Sequence, residues 1–159
     1  PAKKIKVKSN EFRPLSKNFG TSLQRSLFEY VPEASVNGLE KKVALFLDDQ
    51  EQLLFWYRNE SRQDYSIQGW KRNKIYPDFL FTTSPDQKRI DKIFVTETKG
   101  EQLLGNEDTK YKESLFELCN NMAKERNFNE LGLSFANQGL EFQLVDSEKW
   151  QVELNKLFT

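Results

Sequence analysis

A chain of 159 residues suits one domain; 37% hydrophobic and 13% aromatic content, with 13 Phe, supplies a core and argues against wholesale disorder. Charge balances at 24 basic and 24 acidic residues, so net charge alone announces no polyanionic partner. With no histidine and one cysteine, Cys119, histidine-dependent triads, histidine-ligated zinc and an internal disulfide are excluded, leaving carboxylates, lysine and a hard metal as the available chemistry.

The lone cysteine fits a reducing, cytoplasmic setting. No apolar run approaches the roughly 20 residues that cross a membrane. The chain starts at Pro1 rather than methionine, as expected of a processed product or of a piece of a longer protein. Residues 1–35 read as a basic linker or loosely packed arm. Lys3, Lys4, Lys6, Lys8, Arg13 and Lys17 stand there against Glu11, with Pro14, Gly20 and Pro32 interrupting any regular element.

Residues 36–49, "VNGLEKKVALFLDD", predict a helix. Asn37 is a good N-cap, Glu40 completes a capping box, and Leu39, Val43, Phe46 and Leu47 share a face. "EQLLFWYRNE" (51–60) suits a strand or a helix. "DYSIQGW" (64–70) alternates and predicts a strand. "IYPDFLFT" (75–82) predicts another, with Pro77 at a start, edge or bulge. "SPDQKR" (84–89) is a turn, and "IDKIFVTETK" (90–99) is a strand with Ile93, Val95, Glu97 and Lys99 on one face. Residues 105–125 predict a long helix whose apolar stripe is Tyr111, Leu115, Leu118, Cys119 and Met122. Two short strands (131–137 and 140–146) and a terminal helix (147–158) with Trp150, Leu154 and Leu157 on one stripe complete the α/β pattern. The expected fold is a mixed central sheet flanked by helices.

The hairpin 75–99 carries the chemistry. Adjacent strands lie about 4.8 Å apart, so Asp78 and Glu97 facing the same way across a hairpin can share one divalent cation. Lys99 shares the Glu97 face, and the Thr98 carbonyl is a natural further oxygen ligand. Hard oxygens without histidine suit Mg2+ or Mn2+. Pro-Asp pairs are common in turns, as Pro85-Asp86 illustrates, and each fragment alone suits an ordinary strand end. An aspartate between Tyr76 and Phe79 suits one less well.

"YPDF" followed by "TETKG" resembles the PD-(D/E)xK nuclease superfamily. The ordered set "LEKKVALFLDD", "FWYRN", "YSIQGW", "YPDFLF" and "FVTETKG", followed by an acid and lysines at a helix start, is similar to the C-terminal endonuclease domain of type III restriction enzyme subunits and related DEAD/DEAH-box helicase-nucleases. The resemblance covers residues 38 to about 125. It implies a restriction-endonuclease-like core over 36–159, a Mg2+- or Mn2+-dependent deoxyribonuclease, and a bacterial or archaeal cytoplasm. Asp78 and Glu97 would be metal ligands with the Thr98 carbonyl, and Lys99 the catalytic lysine. Glu40 matches an acid that often adds a metal or water contact, against its reading as half of the capping box. Thr98 departs from the apolar residue the family often has there.

The implied partners are DNA, a helicase or translocase region covalently joined to this one, and a separate modification subunit. No helicase motifs occur in these residues. Arg58 and Asn59 match a pattern that binds phosphates or braces the active-site strands. Lys71, Arg72 and Lys74, interleaved with Trp70 and Tyr76, form a DNA-facing loop on this reading and a solvated hairpin tip on the other. Lys110 and Lys112 lie about 200° apart on a helix, so at most one faces the cleft; Lys110 is the residue assigned to DNA. The rival class is a nuclease-like module that binds DNA or docks a helicase without cutting.

Overall fold

The computed structural model describes residues 13–28, 30–100, 105–125 and 139–159. Asn37 opens the first helix, α1 (Gly38–Asp48). Its side chain accepts from the Glu40 N–H at 2.9 Å, and the Glu40 carboxylate accepts from the Asn37 N–H at 2.9 Å, so the capping box forms as expected. The ambiguous run 51–60 is a strand, β1 (Leu53–Arg58), followed by β2 (Phe79–Thr83) and β3 (Lys92–Lys99). The long helix α2 (Glu107–Glu125) leads to β4 (Gly139–Asp146) and the short helix α3 (Trp150–Asn155).

The sheet order is β1-β2-β3-β4. The first two pairings are antiparallel and β3–β4 is parallel, giving the expected mixed α/β sheet. A parallel pair needs a crossover connection, and α2 lies in it. Successive β3 residues serve opposite faces. Phe94 packs with Val43, Leu47, Trp56 and Phe81 on one side, while Val95 packs with Tyr111, Leu115 and Phe142 on the other.

Several expectations are corrected. No strand spans 64–70. Ile67 and Ile75 exchange a single pair of backbone hydrogen bonds, 2.8 and 2.9 Å, and the residues between them form an exposed loop. β2 begins at Phe79 rather than 75. Pro77 has no N–H to offer a ladder, and the Asn59 side chain takes its carbonyl at 2.8 Å. Asp78 therefore stands at the mouth of the strand, not in its body. The α2 stripe is narrower than expected: Tyr111, Leu115 and Phe116 are buried, but Leu118 and Met122 are about half exposed (47% and 49%). The strand expected at 131–137 lies outside the described residues.

The loose arm expected over 1–35 is also corrected where it is described. Leu15, Tyr30 and Val31 are buried, and Arg25 and Leu27 exchange backbone hydrogen bonds with Trp56 of β1. The buried Asp48 carboxylate fastens this segment. It accepts from the Gln24 and Arg25 N–H groups and from Trp56 Nε1, and pairs with Lys17 Nζ at 2.9 Å. Among the described residues, no helix is long and apolar enough to cross a membrane.

Candidate active site

The β2–β3 ladder stops at Phe79–Thr96, and the candidate site forms at that opening. Asp78 Oδ2 accepts from both the Thr98 N–H (2.8 Å) and Thr98 Oγ1 (2.7 Å). A side-chain carboxylate thus takes the amide that a longer β2 would have paired. In a strand, a residue's N–H and C=O point to the same side. The Thr98 carbonyl therefore faces the Asp78 edge, while the neighbouring Lys99 carbonyl accepts from the Ser147 N–H just beyond β4.

Arg58, at the end of β1, ties this edge to α1. Its Nη1 donates to Asp78 Oδ1 (3.1 Å) and to the Asp78 carbonyl (2.8 Å), and its Nη2 donates to Glu40 Oε2 (3.0 Å). Arg58 is thus spent on bracing. Asn59 does the same: it is buried, with Nδ2 on the Tyr65 and Pro77 carbonyls and Oδ1 accepting from the Tyr65 N–H. Of the two roles expected for Arg58 and Asn59, the structure gives them the brace. Glu40 makes its capping box and also belongs to the site, through Arg58. Burial first, and the negative charge of Asp78 second, push its carboxyl above the usual range against the pull of Arg58.

Glu97 and Lys99 meet across the α2 face of β3. Lys99 Nζ lies 3.2 Å from Glu97 Oε1 and 3.4 Å from Asp108 Oδ2. Lys112 Nζ reaches the same two carboxylates, at 2.7 and 3.2 Å. Burial raises the Glu97 carboxyl above its ordinary value, and the charge of Asp78 adds to that rise; Lys112 and Lys99 oppose it. Burial pulls the Lys112 ammonium down, but the charge of Glu97 wins and holds it above the usual lysine range. Asp108 lies below its usual value because the two lysines outweigh its burial.

Lys112, not Lys110, enters the site. Lys110 is exposed and pairs with Glu107 one turn back. The usable signal was Phe116, one turn after Lys112 and buried: it marks the helix face that also carries Asp108. Lys71, Arg72 and Lys74 are exposed and line a cleft of about 470 Å³ with Tyr76, Asp108 and Lys112, so the basic loop shares a cleft with the Asp108–Lys112 face of α2.

Two acidic oxygens bear on whether the site could hold a cation. Among the described residues, buried Glu97 Oε2 has no hydrogen-bond partner, an arrangement that costs about 1–3 kcal/mol unless something occupies that side. Asp78 Oδ1 has one hydrogen-bond donor and keeps a second acceptor direction. Among the described residues, no group of three or more His, Cys, Asp or Glu side chains is placed to hold a metal ion. Mg2+ needs only one or two carboxylates, with water and substrate oxygens completing its shell. Comparison with protein-family models, with curated proteins and with solved structures finds no match for this chain.

Proposed function

We propose that this domain is a metal-dependent deoxyribonuclease with a restriction-endonuclease-like core, and that it acts joined to a DNA translocase. The observation that carries the reading is the buried, partnerless Oε2 of Glu97 beside Asp78, with Lys99 on the same carboxylate. The element order α1-β1-β2-β3-α2-β4 around a mixed sheet supports it. A module that only docks or binds has no use for an unpaired buried carboxylate oxygen, which would be replaced at a gain in stability.

Asp78 and Glu97 would hold Mg2+ or Mn2+ with the Thr98 carbonyl, and the ion would supply Lewis-acid stabilisation and an acidified water. Arg58 fixes the Asp78 carboxylate from one side and Thr98 fixes it from the other. Lys99 reaches the site from the same β3 face as Glu97, where an ammonium steadies the charge that builds on a phosphoryl oxygen. The buried floor of Thr96, Glu97, Thr98 and Lys99 strengthens each of these interactions relative to water.

Cleavage of plasmid and linear DNA with Mg2+ or Mn2+ tests the reading. The native domain cuts, and Asp78→Asn, Glu97→Gln and Lys99→Ala each reduce the rate by about 100-fold or more, with circular dichroism unchanged. No cleavage by the folded native domain with either metal, or native rates in the variants, overturns it.

A further inference from the structure

The loop between Ile67 and Ile75 carries a feature that phosphate binding does not explain. Trp70 is 62% exposed, the most exposed of the three tryptophans; Trp56 is fully buried and Trp150 packs against the core. Its ring stands edge-on to Tyr111, with centroids 5.0 Å apart. On that tyrosine also sits Lys71, whose Nζ lies 4.5 Å from the ring centroid and whose N–H points at Tyr111 Oη at 3.4 Å. Gly69 allows this approach. A Cβ there would lie 2.3 Å from Tyr111 Oη and 2.7 Å from a Leu115 methyl. The loop is therefore seated on α2, with an exposed indole on the same tyrosine as Lys71 and directly before Lys71, Arg72 and Lys74 in the chain.

The cleft those cations line has the size of a small-ligand pocket. That suits one or two nucleotides rather than the flank of a duplex. Its lining also includes Asp108 and Lys112, which bond Lys99 and Glu97 respectively. Cations that follow a phosphate chain, next to an aromatic face open to solvent, are the two parts of a single-strand groove. A paired duplex hides its base faces and offers such an indole nothing to stack on.

We propose that the 67–75 loop and the first turns of α2 form a binding cleft for single-stranded nucleic acid, with an unpaired base stacked on Trp70 and the flanking phosphates on Lys71, Arg72 and Lys74. The proposal rests on the nuclease reading and deepens it: the strand delivered to Asp78 and Glu97 is unpaired where it crosses the loop.

Binding without divalent metal tests the cleft apart from the chemistry. Fluorescence titrations of the native domain use a single-stranded DNA oligonucleotide, its RNA counterpart and a blunt duplex of the same sequence. Single strands quench the tryptophan emission and bind at least about fivefold more tightly than the duplex. Trp70→Ala weakens single-strand binding about tenfold, the loss of one base–aromatic stack, and Trp70→Phe recovers most of it. Lys71→Ala reduces the salt dependence of single-strand binding by about 0.7 in slope. Equal binding by Trp70→Ala and native protein, or tighter binding of the duplex, overturns the proposal. The DNA and RNA arms establish which strand the cleft prefers. A domain that binds single strands through Trp70 yet never cuts refutes the nuclease reading and leaves the cleft standing. One that cuts with Trp70→Ala binding unaltered does the reverse.

Discussion

Lys112 Nζ lies 2.7 Å from Glu97 Oε1, closer than the 3.2 Å of Lys99, the lysine on the strand that carries Glu97 itself. The pull that opposes burial at this acid therefore comes first from α2. Both lysines sit on one carboxylate oxygen, and the other is buried with no partner among the described residues.

Replacing Lys112 should move the acid side of the pH–rate profile. Burial and Asp78 raise the Glu97 carboxyl, and Lys112 is the first group opposing them. In Lys112→Met the carboxyl stays protonated to higher pH. Activity near pH 6 falls about tenfold, the worth of one charge-assisted hydrogen bond of roughly 1.5 kcal/mol, and recovers as pH rises. Lys110→Met leaves the profile in place. A Lys112→Met profile that only drops, without moving, would assign Lys112 to packing alone.

Glu97→Gln separates stability from activity. A carboxyl whose folded value is raised leaves the fold at full stability below its unfolded value, near 4.5. It withdraws stability as pH rises through the folded value. Glutamine has no such loss. The difference in Tm, variant minus native, should therefore grow in favour of the variant between pH 4 and pH 8. Mg2+ or Mn2+ at a hundredfold excess over Kd should raise the native Tm by roughly 5–10 °C and leave the variant unmoved. Equal metal stabilisation of both proteins would remove Glu97 from the ligand set.

Asp48→Asn should unfasten the 13–28 segment. Burial pushes the Asp48 carboxyl up, but hydrogen bonds from Gln24, Trp56, Arg25 and Lys17 win and hold it below the usual range. Its contribution is present above the unfolded value of 3.8 and lost as pH falls through the lower folded one. At pH 7 the variant loses about 3 kcal/mol, roughly 6–12 °C in Tm. The gap between variant and native narrows in strong acid. A pH-independent gap would mean that packing, not charge, is what Asp48 supplies.

The parts of the fold with a local rule were legible in the sequence. The Asn37–Glu40 capping box, the Pro85-Asp86 turn and the shared face of Glu97 and Lys99 each follow from spacing within a few residues, and the structure contains all three. What was missed depended on contacts distant in sequence. Residues 64–70 alternate like a strand, but among the described residues their backbone pairing is the single Ile67–Ile75 bridge, and the chain there is shaped by Asn59 and by Tyr111, some 40 residues on. Asp48 ends α1, and its partners are Gln24 and Arg25 in a segment without regular structure. The choice between Lys110 and Lys112 turned on how α2 is rotated against the sheet, for which the apolar Phe116, one turn after Lys112, was the one signal in the sequence.

The early end of the β2–β3 ladder makes Asp78 a latch as well as a ligand candidate. Beyond Phe79–Thr96, its carboxylate carries the contact from the mouth of β2 to Thr98 of β3. Anything that draws on that carboxylate therefore pulls on the seam of the sheet. The Thr98 amide becomes an internal gauge, its hydrogen exchange quickening whenever Asp78 lets go.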